Sequence, residues 1–165
     1  MMIDAFLPEG ITELAVDSIF MTPQLGVLST VHEEAATQVF DRDCLILLGA
    51  CVAPLGSGRA GDACVSVELT PDSGDRVRRD LPCGELVLLP LPGHGRVRVT
   101  ATPERGFDVG AGRGRPVTRT VRGGVVGLVV DTRGRRPFAL PDEAGQRIAR
   151  LRQWNRALGL YPREV

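Results

Sequence analysis

Gly110, Gly112 and Gly114 stand at every second position of the run Phe107-Asp108-Val109-Gly110-Ala111-Gly112-Arg113-Gly114-Arg115-Pro116. Glycines at that spacing let backbone amides come close to a ligand. Arg113 and Arg115 add two guanidiniums, so the stretch has the makings of a cradle for phosphate or carboxylate. A second group follows at Asp131-Thr132-Arg133-Gly134-Arg135, where an apolar run ends in a carboxylate and an arginine-rich turn. The candidate anion- or partner-binding residues are therefore Asp108, Gly110, Gly112, Arg113, Arg115, Asp131, Arg133 and Arg135. If neighbouring strands bring the two turns together, four guanidiniums repel one another and a bound anion relieves the repulsion. If Asp108 and Asp131 neutralise them instead, the cluster is structural.

Sharper chemistries fail motif by motif. Phosphate loops of the Rossmann and Walker kinds open into a helix, and no helical pattern follows Pro116. All 20 basic residues are arginine, which removes lysine Schiff bases and the P-loop lysine. Arg113-Gly114-Arg115-Pro116 matches the core of an AT-hook, in which Arg-Gly-Arg lies in the A·T minor groove. Here it leads straight into an alternating strand rather than a disordered basic tail, so nucleic acid is not an expected partner. Asp131-Thr132-Arg133-Gly134 departs from the Asp-Thr-Gly of aspartic proteases. His32 sits at a helix start and His94 in a Pro-Gly-His-Gly turn, so no Ser-His-Asp or Cys-His set assembles. No catalytic residue is assigned, and the chain alone reads as a binder rather than an enzyme.

Cys44, Cys51, Cys64 and Cys83 are separated by 7, 13 and 19 positions. Zinc sites usually need closely spaced ligand pairs; the expectation is four free thiols and no metal. Three of the four lie in apolar runs, where a reduced buried thiol is the simpler reading. No stretch approaches the ~18 apolar residues of a membrane span. The first 30 residues hold no basic region ahead of an apolar one, which points to a cytoplasmic location. The net charge of zero conceals a split. Residues 1–95 carry 5 Arg against 14 Asp and Glu, whereas residues 96–165 carry 15 Arg against 6 acids. Either the halves compensate each other or the second half faces an anionic partner.

Positioning these groups falls to a mainly β, α+β fold. From Cys44 onward, short apolar or alternating runs recur every 10 to 15 residues with Gly or Pro between them. That spacing predicts a small antiparallel barrel or sandwich over residues 44–138. Val97, Val99 and Ala101 alternate with Arg96, Arg98 and Thr100, and Val117, Arg119 and Val121 with Thr118 and Thr120, as half-buried strands do. Residues 1–30 read as a strand, a turn and a second extended stretch from Ile11 to Met21, broken at Pro23 and resumed at Leu25. Ser29 or Thr30 is expected to cap a helix through Phe40 with Val31, Ala35 and Val39 on one face. Asp142 caps a C-terminal amphipathic helix whose stripe is Ile148, Leu151, Trp154 and Leu158.

Five strings taken together carry a family resemblance: PEGITELAVD (8–17), PQLGVL (23–28), DCLILLG with the following Ala-Pro (43–54), FDVGAG (107–112) and GGVVGLVVDTRG (123–134). Over roughly residues 3–158 the chain resembles the C-terminal part of the MutL family of glutamate mutase operons, which is unrelated to the mismatch-repair protein of that name. Members resemble actin-like, hydantoinase-A-like ATPases thought to serve adenosylcobalamin-dependent mutases as reactivating chaperones. The family's phosphate loops would lie before Met1, so the resemblance carries neither ATPase activity nor any catalytic residue onto this chain. It implies that residues 1–43 are the tail of the ATPase domain and residues 44–165 a β-rich C-terminal module. ATP and adenosylcobalamin are then cofactors of the full-length system and not of this chain. The implied role is that of a non-catalytic accessory module docking onto the ATPase body or a cobalamin-dependent mutase. The alternative is a small anion- or phosphate-binding sensor or enzyme that uses the two arginine-rich loops. A ligand site predicts that those loops converge in one concave pocket; a docking module predicts an exposed apolar surface around residues 3–28.

Overall fold

A computed structural model describes residues 2–72, 74–91, 95–134 and 141–159. The fold is mainly β, of the α+β class. It contains strands β1 (Gly10–Asp17), β2 (Leu45–Ala53), β3 (Leu55–Gly56), β4 (Ala63–Pro71), β5 (Val77–Pro82), β6 (Leu86–Leu89), β7 (Arg96–Pro103), β8 (Phe107–Asp108), β9 (Val117–Arg122) and β10 (Gly127–Asp131). Helices α1 (Met2–Phe6), α2 (Thr22–Ser29), α3 (Glu33–Val39) and α4 (Ala144–Ala157) flank them. One four-stranded sheet has the order β1-β2-β10-β6, another β5-β4-β7-β9, and β3 pairs with β8.

The alternation read in β7 is realised. Val97, Val99 and Ala101 are fully buried while Arg96 and Arg98 face outward. They meet Val65, Val67 and Leu69 of β4 and Ile11, Val52, Leu128 and Val130 of the other large sheet in one shared core. β10 is buried along its whole length. Its Leu128 and Val130 enter that shared core, and Val129 packs from its other face with Leu86 and Trp154 in a second cluster. A strand covered on both faces needs a continuous apolar run, which Gly127–Val130 supplies.

Two expectations are corrected here. The sheets do not close into a barrel, and β2 pairs with β10 in parallel. Gly49 and Gly127 face each other at that pair, and a Cβ on Gly49 would lie 2.0 Å from the Gly127 carbonyl oxygen. Backbones this close admit only glycine. The expected division at residues 43 and 44 falls between β1 and β2, which pair along the full eight residues of β1.

The N-terminal segment differs most from its reading. Residues 2–6 form a short helix, and Thr22–Ser29 form α2 where an extended run was expected. Pro23 does not break this helix because it sits in the first turn, where its missing N–H would have had no partner anyway. Asp17 closes β1 and starts α2. Its carboxylate accepts the amides of Ile19 at 3.2 Å, Phe20 at 2.9 Å and Thr22 at 3.3 Å, together with the Thr22 hydroxyl. These bonds, that of the Thr22 hydroxyl foremost, hold the Asp17 carboxyl below its ordinary range. His32, and neither Ser29 nor Thr30, caps α3 through a 3.4 Å bond from the Ala35 amide. A single π-helical turn, Phe40–Cys44, then delivers the chain into β2.

At the other end Glu143, one residue past Asp142, caps α4 by accepting the amides of Gly145 and Gln146. The expected stripe is half used. Trp154 is buried and Leu158 packs beside it, whereas Ile148 is 50% and Leu151 40% exposed. Only the C-terminal half of the helix reaches the sheet.

Candidate functional site

The glycine-rich loop is closed on itself. β8 pairs with β3, Asp108 opposite Leu55, and the chain then turns through Gly110, Gly112 and Gly114 with φ of +110, +99 and +70°. Only glycine adopts three such values within five residues without strain. Their freedom serves an internal anion. The Asp108 carboxylate accepts the Gly110 amide at 2.7 Å and the Gly112 amide at 2.9 Å. Those two bonds are the main reason its carboxyl is held below the usual aspartate range, with the Arg113 charge a smaller contribution. The Gly114 amide donates to the Phe107 carbonyl at 2.8 Å. Amides that would cradle a phosphate are thus already engaged. Arg113 and Arg115 project into solvent, and the loop runs into β9 rather than a helix.

The second group is a buried ion-pair network. Asp131, at the end of β10, accepts the Arg133 amide at 3.0 Å and Nε at 2.9 Å on one oxygen, and Nη2 at 2.7 Å on the other. The same Nη2 donates to Asp4 of α1 at 2.7 Å. The guanidinium carbon lies 4.8 Å from the centroid of the Trp154 ring, within cation–π reach. Burial disfavours the Arg133 charge, yet its two carboxylates outweigh that and raise its pKa. Neighbouring Cys51 feels the same enclosure: burial first, and then the Asp131 charge, push its thiol up to about 12.

Thr132 locks this turn to the β5–β6 connection. Its hydroxyl donates to the Pro82 carbonyl at 2.6 Å and accepts the Glu85 amide at 2.9 Å. Trp154 Nε1 donates to the Gly84 carbonyl at 3.2 Å, joining α4 to the same connection. A cavity of about 20 Å³ beside Asp131, lined by Ile3, Pro8, Ala53 and Gly134 among others, is large enough for one water only.

Among the described residues no hydrogen bond or ion pair joins the Asp108–Arg115 loop to the Asp131–Arg133 turn. Arg135 lies outside the described residues, as does His94. All four cysteines are free and buried. Among the described residues no cluster of His, Cys, Asp and Glu is disposed to hold a metal, and no helix is long and apolar enough to cross a membrane.

Two surfaces went unread in the site motifs. The first is apolar. Of the large hydrophobic side chains left exposed, Phe6, Leu7, Val16, Ile19, Phe20, Val27, Leu28 and Val31 all fall within the first 31 residues, and Phe20 and Val31 are 82% and 86% exposed. Phe20 also holds a left-handed φ of +55°, which turns the chain between Asp17 and α2. The second is basic: a cleft of about 240 Å³ on the outer face of β7 and β9, lined by Glu13, Arg96, Thr120 and Arg122. Its arginines were visible as alternating residues; the register that gathers them was not.

No protein-family model, curated protein or solved structure gives a significant match to this chain.

Proposed function

We propose that this chain is a non-catalytic accessory module that docks onto a protein partner through its N-terminal apolar surface. The carrying observation is the exposure of Phe6, Ile19, Phe20, Val27 and Val31, all between 53% and 86%, on α1, α2 and their connections. Monomeric soluble proteins rarely expose apolar side chains in such number within one segment, and interfaces take up aromatic residues preferentially. The resemblance to the MutL family of glutamate mutase operons supplies the partner class: the ATPase body of that family or an adenosylcobalamin-dependent mutase, in the cytoplasm. The alternative, an anion sensor at the two arginine-rich loops, has less support. The loop amides and Arg133 already have carboxylate partners.

Biolayer interferometry of the purified chain against such a mutase and, separately, against the ATPase body tests the reading. Saturable binding that weakens at least ~10-fold in a Phe20→Ser/Val31→Ser variant is expected, since truncating a central aromatic anchor costs about 2 kcal/mol or more. Absence of binding to both, or binding indifferent to the variant, would overturn it.

A further inference from the structure

On the outer face of the β5-β4-β7-β9 sheet, like charges are set directly against each other. Arg96 of β7 and Arg122 of β9 are register partners, and Arg98 faces Thr120 one pair further in. Arg96 and Arg98 are two apart on one strand, so both side chains leave from the same face, about 7 Å apart. Opposed like charges destabilise a strand pair. One carboxylate answers the three guanidiniums: Glu13 of β1 accepts the Arg122 amide at 2.6 Å and its Nε and Nη2 at 3.4 and 3.5 Å.

The other acids of this face are committed elsewhere. Glu68 pairs with Arg76 at 3.4 Å and Asp80 with Arg78 at 3.2 Å. Asp72 and Asp75, in the turn after β4, form no ion pair with Arg96 or Arg98. Between Arg96, Arg122, Thr120 and Glu13 lies the cleft of about 240 Å³.

We infer that this cleft is an oxyanion site for a small phosphate or phosphate monoester. Three guanidiniums less one carboxylate leave two positive charges, which a dianion balances and a monocarboxylate does not. Arg96 and Arg98 offer unengaged N–H forks suited to tetrahedral oxyanions, and the Thr120 hydroxyl adds a neutral donor. The outer rows of β4, β7 and β9 carry Ser, Thr, Glu and Arg with no aromatic ring, so the stacking platform that a nucleic-acid strand uses is missing. The cleft is independent of the docking surface, and either can fail without the other.

Isothermal titration of the full chain with inorganic phosphate and with glycerol phosphate at low salt tests the site. The expected result is saturable binding that falls at least ~10-fold in Arg96→Gln/Arg98→Gln, with melting temperature unchanged because both side chains are exposed. Binding should survive in Arg113→Gln/Arg115→Gln, and it should tighten from about pH 5 to about pH 8 as a phosphate monoester loses its second proton near pH ~6. Glu13→Gln keeps an acceptor for the Arg122 amide while freeing its guanidinium, and should bind several-fold more tightly. Any of four outcomes would overturn the site: no saturable binding, equal binding of acetate, loss in the loop variant instead, or a strong preference for single-stranded oligonucleotide.

Discussion

Replacing Arg133 with Met keeps most of the side-chain volume and removes the charge that Asp131 and Asp4 share. The Arg133 and Asp131 side chains are 6% and 9% exposed, so water screens their pairing little. Losing one partner of such a pair strands the other charge in the interior, at a cost of about 3–5 kcal/mol. Lost stacking on Trp154 adds about 0.5–1 kcal/mol. Urea denaturation at neutral pH should therefore show a loss near 4 kcal/mol. Trp154 is the sole tryptophan and lies against the guanidinium, so its fluorescence reports the site and the global transition together. Arg133→Met combined with Asp131→Leu removes both charges and should cost clearly less than the two single changes summed, by about 1–3 kcal/mol. A single-variant loss below about 1 kcal/mol, the range of exposed ion pairs, would refute the claim that Asp131, Arg133, Asp4 and Trp154 form one buried clamp.

Gly49→Ala and Gly26→Ala should part in opposite directions in thermal melting. The first sets a Cβ 2.0 Å from the Gly127 carbonyl oxygen at a φ of +135° and should cost about 2–6 kcal/mol from strain and overpacking. The second meets nothing within 4 Å inside α2 and should gain about 0.5–1 kcal/mol; equal melting temperatures would contradict the parallel β2–β10 contact. Acid titration addresses the glycine-rich loop. Because the Asp108 carboxyl is held below its ordinary value in the fold, its contribution is complete above the unfolded pKa of about 4 and disappears as pH falls through the folded value. Asp108→Asn should be less stable than the parent at neutral pH and lose less stability below about pH 4; parallel curves across that range would show that the carboxylate does not organise the loop.

What could be read from sequence followed local periodicity. The two-residue alternation of Val97, Val99 and Ala101 and the burial of Trp154 are consequences of pattern alone, and the structure follows both. What could not be read depends on partners far along the chain. Arg133 was visible as a charged turn residue, but its second carboxylate, Asp4, is 129 positions away. That distant contact turns a candidate ligand site into a structural clamp. Likewise, Arg96 and Arg98 read as ordinary outward-facing residues until the register set Arg122 opposite Arg96. α2 was missed because a proline usually ends regular structure, and nothing local marked Pro23 as a first-turn residue except Asp17, whose bonds reach forward five positions. The half-used stripe of α4 has the same origin. Periodicity defines a face, but only the sheet's extent decides how much of it is covered.

The docking account rests on where a partner touches the chain, so hydrogen–deuterium exchange with and without the cobalamin-dependent mutase or the ATPase body tests it most directly. The account predicts slowed exchange in peptides spanning α1, the Asp17–Thr22 turn, α2 and the connection to α3, with β7 and β9 unchanged. Protection centred on β7 and β9, or no change in residues 3–31, would contradict it.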